Sequence, residues 1–213
     1  MNAKDAIKKN LLTLLQSKIL TINSLVEAKI ALFIFSYCYL VNDEIKKIKC
    51  VQNTPIDEII QLMMSDEKEL SALSIVLCNN YIISRPSNLI YFLRKGGFDM
   101  VCEIAKNGPL NCKIQAGIII ITILKKSTSE DQEKLYNPEV LSILCDLWQI
   151  NDHELNLCIL NFILQSLRCY KWVIEFLISE NFEDELYYLQ ENSRDEILTF
   201  SINQLIRIIK YNI

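Results

Sequence analysis

The chain has 213 residues, a net charge of −4 at pH 7 and a pI of about 5.2. It is 51% apolar and has only 4 Gly and 4 Pro, so it can bury a substantial core and has little sequence for long loops. The acidic balance excludes a typical nucleic-acid-binding surface, which needs a basic stripe. The basic pairs are explained by solvation near helix ends, and the alternative is a small basic patch that binds an anionic lipid. The pairs are Lys8-Lys9, Lys46-Lys47 and Lys125-Lys126.

Apolar runs and cysteines bear on the location of the chain. The longest apolar runs, Ile30–Val41 and Ile114–Leu124, fall well short of the roughly 20 residues that cross a bilayer. Met1–Asn10 adjoins no signal-peptide core. The 8 Cys occur singly, without a Cys-x-x-Cys pair, and no Asn-x-Ser/Thr sequon is present. These features predict no membrane span, no disulfide framework and no zinc site, and a cytoplasmic or nuclear location.

Five helix-start signals recur along the chain at intervals of 42, 42, 43 and 42 residues. In four of them a capping residue lies three positions before a Glu, and in the middle one a Gly precedes a Pro at the first helical position. The five signals are Ser24 with Glu27, Asp66 with Glu69, Gly108 with Pro109, Asn151 with Glu154, and Ser193 with Glu196. A period near forty is typical of stacked helical repeats.

Turn residues follow the same period upstream of the capped helices. Residues that tolerate a left-handed backbone occur at intervals of 44, 40 and 44, at Asn53, Gly97, Asn137 and Asn181. The best internal match pairs Phe92–Phe98 with Phe176–Phe182, 84 residues later. The run Ile118–Ile121 lies within a capped segment, so we expect a helix buried on nearly all sides rather than a strand.

Each unit is therefore predicted to contain a short helix, a second helix and a longer capped third helix. In the clearest copy these are about Pro86–Lys95, Gly97–Ala105 and Pro109–Lys125. This plan, with its Gly96-Gly97 turn, resembles the armadillo repeat family over about residues 10 to 213. The resemblance implies an all-α, armadillo-type α-solenoid, a right-handed superhelix of about five repeats. We expect a single domain, 1–213, with units at about 1–41, 42–84, 85–127, 128–168 and 169–213, the first truncated to two helices.

Little in the sequence points to catalysis. The only histidine, His153, is predicted to be a solvated first-turn residue, because its neighbours do not supply the partners of a base or a metal ligand. Neither a phosphate-binding Gly-rich loop nor a nucleophile elbow is present. We therefore expect no enzyme activity, no cofactor and no metal.

Polar residues recur at equivalent positions of the third helices. In armadillo proteins these helices line the inner concave surface, so the resemblance implies that the residues form a ladder there. Amides on such a surface can hydrogen-bond an extended peptide, and Arg207 can pair with a carboxylate or phosphate. The alternative is an ordinary solvated wall. The predicted partner-binding residues are Asn80, Asn161, Gln165, Asn203 and Arg207.

This pattern predicts a non-enzymatic adaptor or scaffold that binds a protein or peptide partner. The nuclear-import armadillo receptors carry a Trp and Asn ladder on this surface. Here no Trp is present at the matching places, which disfavours recognition of basic localisation signals. Those places are occupied by, or lie close to, Leu32, Val76, Ile120, Asn161 and Asn203.

A second resemblance gives an alternative function. Cys78-Asn79-Asn80 partly matches the Gln-Asn-Asn end of a third helix in small armadillo proteins that act as nucleotide exchange factors for heat-shock chaperone ATPases. The alternative prediction is therefore a nucleotide exchange co-chaperone.

The last helix carries an apolar arc that covers about half its circumference, wider than a one-sided surface helix needs. We expect part of this arc, with Tyr211 and Ile213, to be exposed and to contact a second copy or a partner. The alternative is that the preceding helices bury all of it.

Overall fold

The computed structural model describes residues 11–41 and 43–211, apart from the side chains of Glu44, Lys46 and Lys47. All regular secondary structure in these residues is helical. The predicted helices Pro86–Lys95, Gly97–Ala105 and Pro109–Lys125 are confirmed within two residues at each end. The helices are α1 Leu11–Leu20, α2 Leu25–Tyr39, α3 Glu44–Asn53, α4 Ile56–Leu62, α5 Lys68–Ser84, α6 Pro86–Arg94, α7 Gly97–Asn107, α8 Leu110–Lys126, α9 Ser129–Leu135, α10 Pro138–Trp148, α11 His153–Ser166, α12 Trp172–Ser179, α13 Phe182–Asn192 and α14 Glu196–Tyr211.

The helices fall into two compact units, 1–128 and 129–213. In the first unit, the long helices α2, α5 and α8 pack against one another in sequence. The predicted buried helix at Ile118–Ile121 is confirmed, because Ile119 and Ile120 are fully buried within α8. This apolar helix therefore forms part of the core of the first unit.

In the second unit, α14 packs against α11, α12 and α13. Trp148 at the end of α10 is buried, and its ring lies 5.5 Å from that of Phe182 at the start of α13. Leu160 on α11 and Ile202 on α14 are fully buried. The core of this unit therefore fixes the position of α14 relative to α11.

The repeated helix starts are present, but only the first predicted cap is confirmed. The Ser24 Oγ accepts a hydrogen bond from the Glu27 N–H. The prediction that Asp66 caps α5 is wrong. The cap is Glu67, whose carboxylate accepts from the Leu70 N–H at 2.9 Å. Gly108 ends α7 instead of capping α8, and Pro109 occupies the cap position.

The last two caps also differ from the prediction. Asn151 adopts a left-handed backbone with φ 59°, so the cap moves to Asp152, which accepts from the Leu155 N–H at 2.9 Å. Ser193 ends α13, and Asp195 caps α14 instead. The five observed caps, Ser24, Glu67, Pro109, Asp152 and Asp195, keep intervals of 43, 42, 43 and 43 residues. The period was therefore predicted correctly, although four of the capping residues were not.

The left-handed turn residues are confirmed in one case. Asn181 has φ 52°, as predicted, whereas in the earlier unit the left-handed residue is Gly96 at φ 72°. Gly97 is required for a different reason: a Cβ atom there would lie 2.5 Å from the buried Phe92 ring. Asn137 has an extended backbone and caps α10, and Asn53 ends α3.

Candidate functional site

The predicted ladder is divided between the two compact units. Asn161 and Gln165 lie one turn apart on α11, and Asn203 and Arg207 lie one turn apart on α14. Because α11 packs against α14, the structure brings these two helices together within the second unit. Gln165 and Arg207 are exposed, and the two asparagines are half-buried.

Asn80 belongs to the first unit and makes an internal contact there. It is half-buried, and its Nδ2 donates to the Ser36 carbonyl at 3.4 Å. Cys38, which the predicted caps made equivalent to Asn80, is fully buried, as is Cys78. Leu32 and Ile120, which were compared with the import-receptor ladder, are also fully buried and belong to the core. The exchange-factor alternative remains a prediction; of the residues that suggested it, Cys78 is fully buried and Asn80 bonds to Ser36.

A bond between helices orients Asn203. Its Oδ1 accepts from the Gln190 Nε2 of α13 at 2.6 Å. This bond leaves the Nδ2 group of Asn203 as the donor for an external carbonyl. One amide of the predicted set is thereby held in a fixed orientation.

Arg207 lines a cavity of about 1050 Å³ in the second unit, which we call the basic cleft. The cleft lies between the end of α11, the following turn, α12 and α14. Its wall is largely aliphatic, with polar and charged side chains among the apolar ones. It is lined by Leu164, Leu167, Arg168, Tyr170, Lys171, Ile174, Glu175, Ile178, Gln204, Arg207 and Ile208.

The charge in the cleft is opposite in sign to that of the whole chain. Arg168, Lys171 and Arg207 face a single acid, Glu175, whereas the chain carries a net charge of −4. All three basic residues are exposed. Within the described part of the chain, no ion pair or side-chain hydrogen bond engages them. The cleft therefore presents three cations that can pair with an anionic ligand.

An aromatic cluster supports the turn that carries Tyr170 into the cleft. Tyr136 is buried, and its ring lies 4.9 Å from Phe162, 5.5 Å from Tyr170 and 5.1 Å from Trp172. The Tyr136 hydroxyl is 3.1 Å from the Ser166 Oγ. Burial, followed by the nearby Glu133, raises the pKa of Tyr170. Its hydroxyl therefore stays neutral at pH 7 and can donate a hydrogen bond.

Arg207 is the predicted ladder residue that lines the cleft, and the other lining residues were not predicted. Arg168 and Lys171 lie in the turn after α11, and Gln204 lies on α14 three residues before Arg207. The prediction considered only two equivalent positions on the third helices and did not include the turns. The Arg168-Cys169-Tyr170-Lys171 segment, with two cations around an aromatic residue, was the signal available in the sequence.

The prediction of a solvated first-turn position for His153 is confirmed. His153 begins α11, its side chain is 59% exposed, and its Nε2 lies 3.2 Å from an Asp195 carboxylate oxygen. Among the residues that the structure describes, no group of three or more His, Cys, Asp or Glu side chains is placed to hold a metal ion. The same residues include no helix with the length and apolar character needed to span a membrane.

The apolar arc of α14 is mostly core. Ile202 is fully buried and Ile209 is 5% exposed, which supports the alternative that the neighbouring helices bury the arc, whereas Tyr211 is exposed as expected. The exposed apolar side chains of this helix are Ile197, Phe200 and Tyr211. Ile213 lies outside the described residues.

No protein-family model matches the chain, and no curated protein matches it. Solved structures do. A computationally designed armadillo repeat protein for modular peptide recognition has a TM-score of 0.77 and 16% identity, covering 96% of this chain and 84% of its own. A designed armadillo repeat protein in complex with the peptide (KR)4 has a TM-score of 0.76 and 14% identity, covering 97% of this chain and 85% of its own.

A third similar structure is an engineered protein from a structural genomics consortium. It has a TM-score of 0.73 and 14% identity, covering 98% of this chain and 83% of its own. The TM-scores establish the fold, whereas identities this low leave the function open. The chain therefore has an all-α, armadillo-like repeat fold.

Proposed function

We propose that this protein is a non-enzymatic adaptor or scaffold whose basic cleft binds an acidic, amphipathic peptide segment of a partner protein. The observation that carries the proposal is the set of three exposed cations around an aliphatic wall, none of which pairs with another described residue. A concave, largely apolar surface with a few polar groups is the usual form of a ligand site. Apolar side chains of the segment would pack on the wall, and its carboxylates would pair with Arg207 and Arg168.

Arg207 is the predicted ladder residue that lines the cleft, and the others extend the proposed site beside it. Gln165 and Asn203 lie on the two helices that flank the cleft, and their amides can hydrogen-bond the main chain of an extended peptide. Asn161 extends the same polar face along α11. Asn80 is not part of this proposal, because it belongs to the other compact unit and bonds to Ser36 there.

The charge of the cleft also predicts what it rejects. One similar structure is a designed armadillo repeat protein in complex with (KR)4, a basic peptide. In this chain, Arg168, Lys171 and Arg207 would repel such a peptide, because like charges brought together cost affinity. We therefore expect this chain to prefer acidic peptides over basic ones.

Selection from a display library of random twelve-residue peptides tests this proposal. We expect the purified chain to enrich peptides that combine Asp or Glu with large apolar residues. The Arg207→Glu variant should lose these peptides, whereas Arg194→Glu, which makes the same change at an exposed position outside the cleft, should retain them. Enrichment of basic peptides, or equal capture by Arg207→Glu, would show that the cleft is not the site.

A further inference from the structure

A stripe of exposed apolar side chains runs along α2 in the first compact unit, far in sequence from the basic cleft. Its members are spaced by 4, 3, 4 and 3 residues, which places them on one side of the helix and on the residue that ends it. We call this set the α2 stripe: Val26, Ile30, Phe33, Tyr37 and Leu40, which are 65%, 51%, 62%, 51% and 69% exposed.

The stripe faces away from the core of the chain. On the other side of α2, Ala28, Leu32 and Phe35 are fully buried, and the helix packs against α1 and α5. Single exposed apolar residues are common on protein surfaces, whereas a continuous row of five large ones marks an interaction surface.

Charged residues near the stripe are already paired within the chain. The Lys29 Nζ lies 2.7 Å from a Glu69 carboxylate oxygen and 3.0 Å from one of Glu67. Glu27 pairs with Lys18 at 3.0 Å. Covering this part of the stripe therefore leaves the two charged residues of α2, Glu27 and Lys29, with partners of their own, so an apolar partner surface fits it better than a charged one.

The order of residues in the stripe is nearly symmetric about Phe33. If two copies of α2 cross in antiparallel orientation with Phe33 opposite Phe33, Val26 lies opposite Leu40, and Ile30 lies within one residue of the position opposite Tyr37. A two-fold interface needs this property, because each residue on one copy must fit the residue that meets it on the other.

The available area is close to that of a stable interface. Side chains that are half to two thirds exposed in five positions offer roughly 600 Å² of apolar surface per copy, compared with about 800 Å² per partner in a standard interface. The sequence of Met1–Asn10, outside the described residues, contains only Met1 and Ile7 as large apolar residues. That segment offers too little apolar surface to match the stripe.

We infer that the α2 stripe is the interface of an antiparallel, two-fold symmetric homodimer. The dimer is independent of the proposed peptide site, since the stripe and the basic cleft lie on different compact units. In a symmetric interface every substitution acts twice, once on each copy.

Sedimentation equilibrium of the full chain from about 1 to 100 μM tests the dimer. We expect a concentration-dependent dimer, and Phe33→Glu should raise its dissociation constant by on the order of thirtyfold, because two glutamates then meet at the centre. Tyr37→Glu, an independent change in the stripe, should act in the same direction. Phe200→Glu is the matched control, because Phe200 is 63% exposed on α14 and lies outside the stripe.

Three outcomes would overturn the inference: a monomeric wild type at 100 μM, a dimer that withstands both stripe variants, or a dimer that only Phe200→Glu dissociates. Circular dichroism at the same concentrations verifies that each variant keeps its helical content.

Disulfide cross-linking tests the antiparallel orientation. Phe33→Cys should form a cross-linked dimer above the wild-type background, because the two residues meet at the two-fold axis. In Val26→Cys the two new cysteines would lie roughly 20 Å apart along the crossed helices, too far to be linked. Stronger cross-linking of Val26→Cys than of Phe33→Cys would contradict the antiparallel arrangement.

Discussion

At the scale of single residues, short acidic and polar side chains begin the long helices at a nearly constant interval. Asp152 and Asp195 each accept from backbone N–H groups of the first turn, and Glu67 does so while also pairing with Lys29. A negative charge at this end also interacts favourably with the helix dipole. The cap therefore combines a hydrogen bond with a charge interaction at the start of each of these helices.

Asp195 provides the clearest test of this capping. Asp195→Ala should lower the thermal unfolding midpoint by roughly 2–4 °C at pH 7, because the N–H groups of Leu198 and Ile197 lose their acceptor. Ser193→Ala should have a smaller effect, since the Ser193 Oγ accepts only from the Asp195 N–H at 3.1 Å. Calorimetry measures both, and a larger effect of Ser193→Ala would contradict the assignment of the cap.

The Asp195 carboxylate also predicts how the stability difference between wild type and Asp195→Ala depends on pH. The Leu198 N–H, followed by that of Ile197 and by His153, lowers the pKa of Asp195. Its contribution to stability is therefore complete above the pKa of the unfolded chain and is lost as the pH falls through the folded pKa. The difference in unfolding midpoint between wild type and Asp195→Ala, measured by calorimetry, should be constant near neutral pH and should narrow below about pH 4.

At the scale of helices, burial depends on which neighbours cover a face. The sequence predicted a wide apolar arc on α14, but it could not assign its covered part, because that depends on where α11, α12 and α13 lie. In the structure the arc is mostly core, and Ile197 and Phe200 beside it are exposed. Similarly, the spacing of the caps predicted a helix start near residue 151. It did not predict that Asn151 would adopt a left-handed backbone and that Asp152 would cap the helix instead.

A pair of substitutions on α14 tests this assignment. Ile202→Ala should cost about 2–5 kcal/mol in the free energy of unfolding, because Ile202 is fully buried and its loss leaves a cavity. Phe200→Ala, on the same helix but 63% exposed, should cost less than about 0.5 kcal/mol. Urea unfolding of the two variants gives the comparison. Equal destabilisation would show that α14 is oriented differently.

At the scale of the whole molecule, the repeat period was sufficient to predict the fold, and the site was only partly predictable. Arg207, Gln165, Asn161 and Asn203 were predicted because equivalent helix positions recur with the period, and of these Arg207 lines the cleft. Arg168 and Lys171 were missed because they lie in a turn, whose position depends on the packing of Tyr136 against Tyr170 and Trp172. The predicted caps Ser24 and Asp66 made Cys38 and Asn80 equivalent, but the observed caps Ser24 and Glu67 offset them by one residue, and Cys38 is fully buried whereas Asn80 is half-buried. The predicted period therefore placed equivalent positions only to within one residue, an error that turns a side chain by about 100° around a helix.

Fluorescence anisotropy with two labelled peptides of opposite charge is the most direct test of the charge preference of the basic cleft. Alternating Asp-Leu and Lys-Leu octapeptides place leucines on one side of an extended chain and charges on the other. We predict that the Asp-Leu peptide binds, that salt weakens it, and that Arg207→Glu weakens it at least about tenfold while Arg194→Glu leaves it unchanged. Tighter binding of the Lys-Leu peptide, or an Asp-Leu affinity that Arg207→Glu does not alter, would show that the basic cleft is not a site for acidic peptides.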